Sequence, residues 1–155
     1  SAGGHFSCVT TAVNLNKDMQ EDFGVSYCGF DFNAVAAICP AVDLLSPNFL
    51  MNVNVPVLLG DKWRKSKFKK YLDVNRIISK DFAPFYVNTA RNDFLKKQCY
   101  KLKDILERNN IEHKFHDFDK PLSHVFNVVD PFSKYGDMAN TEIAEFFKAR
   151  MKTKV

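Results

Sequence analysis

The chain predicts an α/β fold, a mainly parallel sheet flanked by helices, and three observations carry that prediction. Two short runs, Ala34–Cys39 and Pro84–Ala90, are largely apolar without strict alternation, as expected of strands covered on both faces. Apolar residues at helical spacing lie before, between and after them. Strands separated by helices need crossover connections, and crossovers make neighbouring strands parallel. With 155 residues, 46% hydrophobic and 26% charged, the composition is that of a single globular domain rather than a disordered chain. Fifteen Phe supply large core side chains.

In chain order, Gly3 to about Lys17 reads as a helix, with Phe6, Val9 and Val13 on one face and the small Thr10 and Ala12 beside them. A polar segment, Asn14–Asp22, follows. Ala34–Cys39 is the first strand, closed by Pro40, and Pro40–Pro56 is loop-like, with Asp43, Ser46, Pro47 and several Asn. Asp61–Leu72 predicts a basic amphipathic helix within an insert spanning about 47–80. Pro84–Ala90 is the second strand. Phe94–Asn109 is a helix whose stripe is Leu95, Cys99, Leu102, Ile105 and Leu106, with Asn109-Asn110 to end it. Glu112–Phe118 is a third strand, a loop through Pro121 leads to His124, and Asn140–Met151 closes the chain as a helix. No internal repeat or linker divides the chain, so residues 1–155 are read as one domain.

Composition also sets aside several function classes. Cys8, Cys28, Cys39 and Cys99 are scattered without a Cys-x-x-Cys pair, which points away from a zinc knuckle or redox pair. Buried free thiols suit a reducing, cytoplasmic setting. No apolar stretch reaches the ~18–20 residues of a membrane span, and the first residues do not read as a signal peptide. Residues 61–80 carry eight Lys or Arg against Asp61 and Asp73, interleaved with Trp63, Phe68 and Tyr71. A nucleic-acid or acidic-membrane surface is one reading of that pattern. A solvated face with its aromatics turned to the core is the preferred one, and nucleic acid is not expected as a partner. His113 and His116 resemble a metal pair, but three residues apart on a strand they face opposite ways and are expected at the surface. His5 is assigned to packing.

In a parallel sheet, functional groups gather where loops leave the carboxyl ends of the strands. Asp93 follows the second strand and His124 the third. Ser1 opens Ser1-Ala2-Gly3-Gly4-His5, a serine and glycines ahead of a helix, which is the downstream part of the Gly-x-Ser-x-Gly nucleophile turn. A serine hydroxyl needs an imidazole to take its proton, and an acid to orient that imidazole. His124 and Asp93 are the candidates for these roles. The Ala2 N–H, at the start of a helix, is the candidate oxyanion donor. No metal and no organic cofactor is required. Asp93 as a mere helix cap, His124 as a loop histidine and Ser1 as a simple cap are the plainer alternatives.

Four segments together resemble the C-terminal part of an α/β-hydrolase, nearest the hormone-sensitive-lipase-like esterases and small acetyl esterases. They are Ser1-Ala2-Gly3-Gly4-His5, Ala37-Ile38-Cys39-Pro40-Ala41-Val42-Asp43-Leu44, Thr89-Ala90-Arg91-Asn92-Asp93-Phe94-Leu95 and Ser123-His124-Val125-Phe126. The resemblance spans nearly the whole chain in the family's order, with the triad running Ser, Asp, His. It implies a serine carboxylester hydrolase that acts on small acyl esters through an acyl-enzyme. It also implies a partner, the N-terminal half of the same fold, as a separate chain or a preceding segment, since the family's His-Gly-Gly-Gly loop lies upstream of the serine. Lys120-Pro121-Leu122-Ser123 departs from the glycines common in relatives. An N-terminal-nucleophile hydrolase using the Ser1 α-amino group, and a basic binding module built on residues 61–80, are the rival readings. A homo-oligomer is left open.

Overall fold

The computed structural model describes residues 1–46, 55–57 and 59–151. Its elements run α1 (Ala2–Leu15), α2 (Lys17–Phe23), β1 (Val35–Ile38), three 3-10 turns, β2 (Phe85–Ala90), α3 (Lys96–Arg108), β3 (His113–Phe118), α4 (Phe126–Val129) and α5 (Lys134–Lys148). The strands form one parallel sheet in the order β1-β2-β3. Val35 stands opposite Phe85 and Ile38 opposite Asn88, while Phe85 stands opposite His113 and Ala90 opposite Phe118.

The central strand is buried at all six positions. Period-2 geometry sends Phe85 and Val87 to one face, beside Val35 and Ala37 of β1. That face meets Cys8 and Ala12 of α1 and the predicted α3 stripe, Cys99, Leu102, Ile105 and Leu106. Tyr86 turns to the other face and packs edge-on against Phe146 of α5. A smaller cluster at the carboxyl end joins Ala90 and Phe118 to Phe126 and Ala139. Asn110 adopts a left-handed conformation (φ 54°) just past α3, so Asn109-Asn110 stops that helix as expected.

Three expectations are corrected. The polar segment after α1 contains the short helix α2, capped by Asn16 Oδ1 accepting the Met19 N–H (3.1 Å) and ended by left-handed Gly24. Met19 is its buried anchor. The helix expected over Asp61–Leu72 is instead a chain of 3-10 turns, Trp63–Lys65, Lys67–Leu72 and Val74–Arg76. Ser66 interrupts it in an extended conformation, its hydroxyl accepting the Phe68 N–H, and Asp73 does the same for Asn75. The last helix starts at Lys134, well before Asn140, because Ser133 caps it through the Gly136 N–H (3.1 Å). Of the insert expected over 47–80, residues 47–54 and 58 lie outside the described residues.

The basic stretch turns Trp63, Tyr71 and Leu72 inward and its charges outward. Lys67 and Lys70 pair with Asp22 of α2, at 3.3 Å and 2.7 Å, and Arg64 lies over the Trp63 ring. This is the solvated face with buried aromatics that the pattern favoured. Among the described residues, no helix is long and apolar enough to cross a membrane.

Candidate active site

Ser1 occupies the N-cap position of α1. Its carbonyl accepts the N–H groups of His5 (3.2 Å) and Ala41 (3.1 Å), which ties the first helical turn to the segment leaving β1. That contact is close. A Cβ on Gly4 would lie 2.6 Å from Pro40 Cβ and 2.8 Å from Pro40 Cα, whereas one on Gly3 would meet nothing within 4 Å. His5 is buried with Nδ1 3.1 Å from the Ala41 carbonyl, so Nδ1 carries the proton. Burial lowers its pKa and keeps the ring neutral, in keeping with a packing role.

Asp93 closes the turn after β2, its N–H bonded to the Ala90 carbonyl. The carboxylate is wholly buried and fully engaged. Oδ1 accepts from His124 Nδ1 at 2.7 Å and from the Leu95 N–H at 2.9 Å, while Oδ2 accepts from Thr89 Oγ1 at 2.7 Å. Cys99 Sγ lies 3.6 Å from Oδ2. Burial alone would push the Asp93 pKa up, but hydrogen bonds from His124, Leu95 and Thr89 outweigh it and hold the group at about 2. Asp93 is therefore ionised at neutral pH.

His124 sits in the loop after β3 with the Phe94 ring against it, centroids 4.3 Å apart. Donation from Nδ1 to Asp93 fixes the tautomer and leaves the lone pair on Nε2. That atom is buried and, among the described residues, has no hydrogen-bond partner. The next residue, Val125, is left-handed (φ 50°), and its N–H reaches the sulfur of Cys39, itself left-handed (φ 43°), at 3.4 Å. Positive φ is an outlier for a β-branched residue, and each such strained position costs on the order of 1–3 kcal/mol. Two of them bonded together beside the Asp93–His124 pair is a local expense of the kind found at functional sites.

Of the residues singled out from sequence, Asp93 and His124 are in direct contact. Ser1 is tied to the segment leaving β1, where its carbonyl accepts the Ala41 N–H two residues past Cys39. No hydrogen bond joins Ser1 Oγ to His124 Nε2, which has no partner among the described residues. The Ala2 N–H begins α1, where helix geometry leaves it without an intrahelical acceptor. His113 and His116 part company as expected but are half-buried rather than at the surface. His113 Nδ1 meets the Ile111 carbonyl and His116 Nδ1 meets Glu142. Sequence reasoning passed over Thr89, Cys39 and Cys99 as site residues. Only Thr89 carried a signal, a hydroxyl four residues before Asp93 at the end of a buried strand.

No family model and no curated protein matches the sequence. Solved structures do match. Esterase B from Lactobacillus rhamnosis (HN001) superimposes with a TM-score of 0.85 at 24% identity, over 96% of this chain and 50% of its own. This is the α/β-hydrolase fold. An esterase/lipase from an uncultured bacterium gives 0.67 at 18% identity, over 97% and 50% of the two chains. The Pyrobaculum calidifontis esterase gives 0.65 at 21%, over 96% and 50%. The neighbours are thus esterase- and lipase-type α/β-hydrolases, and the present chain spans about half the length of each. Within an α/β-hydrolase, Asp93 and His124 stand where loops leave the carboxyl ends of β2 and β3.

Proposed function

We propose that the chain carries the catalytic groups of a serine carboxylester hydrolase acting on small acyl esters. The observation that carries this reading is the Asp93–His124 pair, a 2.7 Å contact on a wholly buried carboxylate, with the imidazole's other nitrogen unpartnered among the described residues. Ser1 Oγ attacks the ester carbonyl as His124 Nε2 takes its proton. Asp93 holds the ring in its tautomer and stabilises the imidazolium. The Ala2 N–H, at the positive end of α1, faces the developing oxyanion. Collapse of the tetrahedral intermediate releases the alcohol, which leaves with the His124 proton. Water, activated by the same ring, then frees the acid from the acyl-serine.

The solved neighbours support the substrate class. Esterase B was solved with a C4-C4 SN3 tributyrin phosphonate inhibitor. The working enzyme also draws on a polypeptide supplying the rest of the hydrolase sheet, the N-terminal half of the fold.

The test, made on the chain together with the polypeptide that supplies the rest of the hydrolase sheet, is cleavage of p-nitrophenyl butyrate combined with labelling by an alkyl phosphonate ester. Labelling is expected on the Ser1 hydroxyl and is lost in Ser1→Ala. Asp93→Asn and His124→Ala each lower turnover by about 10⁴-fold, the scale of a lost triad member. Cleavage left unchanged in both variants overturns the reading.

A further inference from the structure

The proposed hydrolysis makes no use of the basic stretch, yet the charge of the molecule is concentrated there. Residues 61–80 hold eight Lys or Arg against two Asp, a net of +6, while the whole chain carries +4, so the remainder is net negative at −2. Four of these cations converge. Lys67, Lys69, Lys70 and Arg76 line one cavity of about 480 Å³ with Ser66 and Trp63, and no carboxylate is among its lining residues. Arg64 and Lys69 both lie over the Trp63 ring, 4.6 Å and 5.9 Å from its centroid. Asp22 answers Lys67 and Lys70, and Asp73 lies 3.6 Å from Arg76. Among the described residues, Lys62, Arg64, Lys65 and Lys69 pair with no carboxylate.

The surface beside these charges is apolar. Ser66 also lines a second cavity, of about 540 Å³, walled by Phe23, Leu44, Leu59, Phe68 and Leu72 among others. Phe23, the last residue of α2, is 39% exposed there, with its ring 5.0 Å from that of half-buried Phe68. Cations beside exposed apolar side chains are the chemistry of a protein face that rests on an anionic lipid surface, where phosphates meet the charges and acyl chains meet the rest. A single-stranded nucleic acid would meet the charges but also needs aromatic faces on which its bases stack. Trp63 and Tyr71 are buried and offer none.

We propose that residues 61–76, together with Phe23 and the apolar cavity beside it, form a docking surface for an anionic phospholipid membrane. Lipid phosphates sit against Arg64, Lys69 and their neighbours, and Phe23 enters the boundary between headgroups and acyl chains. Each Lys or Arg near such a surface strengthens binding about fivefold, and salt weakens it by screening. Docking needs no ester cleavage, so the proposal stands or falls apart from the hydrolase reading.

Trp63 is the chain's single tryptophan and lines the basic cavity, so its fluorescence reports on this face. The experiment mixes the full chain with phosphatidylcholine vesicles, with and without phosphatidylglycerol, and reads co-sedimentation alongside quenching of Trp63 by brominated acyl chains. Binding at least tenfold tighter to the anionic vesicles is expected, with quenching, and both are lost in high salt. Arg64→Glu/Lys69→Glu lowers binding at least tenfold. Where that variant does not fold, the exposed pair Lys62→Glu/Lys65→Glu is read in its place. Lys134→Glu/Lys148→Glu makes the same change in net charge at the two ends of α5, on the far face of the sheet, and leaves binding within about twofold. Phe23→Ser diminishes the quenching. Equal binding to neutral and anionic vesicles, no binding, or an equal loss in the α5 variant overturns the proposal. Single-stranded DNA bound more tightly than the vesicles, and unaffected by Phe23→Ser, overturns it in favour of a nucleic-acid surface.

Discussion

Gly3 and Gly4 are neighbours in the first turn of α1, and a reader of the sequence would treat them alike. Packing separates them. An added methyl at Gly4 would enter the Pro40 backbone, and overpacking against atoms that cannot move aside costs about 1–3 kcal/mol. At Gly3 the same methyl meets nothing, and the better helix propensity of alanine is worth up to about 1 kcal/mol. Gly4→Ala is expected to lower the urea midpoint and Gly3→Ala to hold or raise it; matching effects in the two variants would refute the contact. The same contrast explains what was legible at the site. The meeting of Asp93 and His124 could be anticipated because loops after neighbouring parallel strands leave the sheet at the same end. Cys39 could not, since its relation to Val125 spans 86 positions and depends on two left-handed residues that no sequence rule forces.

At the scale of elements, the three strands and α3 were legible to within a residue or two, because buried strands and a strong apolar stripe announce themselves. The misses lie where local polar chemistry outranks periodicity. Asn16, Ser66, Asp73 and Ser133 each use a side chain to satisfy a backbone N–H, starting or breaking an element that hydrophobic spacing alone does not mark. Within α5, Glu142 stands against the sheet. The Glu142 carboxylate accepts from Tyr86 Oη at 2.9 Å and His116 Nδ1 at 3.0 Å, with Lys114 Nζ 3.4 Å away. It thereby bridges α5 to both β2 and β3. Burial raises its pKa, but these hydrogen bonds and charges pull it below the ordinary 4.5. A depressed carboxylate stabilises the fold above its ordinary pKa and loses that contribution as pH falls through and below it. Stability measured by urea unfolding is thus expected to decline below pH 4.5, and Glu142→Gln is expected to flatten that limb. An acid limb unchanged by Glu142→Gln would mean the bridge does not hold α5. Glu142→Ala, which strands the Tyr86 hydroxyl, is expected to cost about 1–3 kcal/mol at neutral pH.

Among the described residues of the whole molecule, the sheet pairs β2 on both sides and β1 on one. Beside the open edge of β1, a cavity of about 560 Å³ is lined by Phe6, Thr10, Ala36, Ile38, Ile143 and Phe147 among others. Phe6 is 54% exposed there. An apolar, unpaired strand edge is a template for another strand, and natural sheets pair, cover or charge such edges. The matched hydrolases are about twice as long as this chain, so each contains as much polypeptide again. We therefore expect the isolated chain to hydrolyse esters poorly, and a polypeptide carrying the rest of the hydrolase sheet to raise its activity by pairing at β1. Phe6→Asp separates this from a simple loss of stability. Exposed substitutions outside special contacts shift stability by no more than about 0.5 kcal/mol, so the lone variant should unfold like the parent. Once the sheet is completed, the same carboxylate would be buried without a partner, and the regained activity should fall sharply. Sedimentation tells a foreign strand from a second copy of this chain, because edge-to-edge pairing of two copies gives a dimer without any added polypeptide. Robust, Ser1-dependent turnover by a monodisperse 155-residue monomer, with Phe6→Asp as active as the parent, would show that the β1 edge needs no occupant.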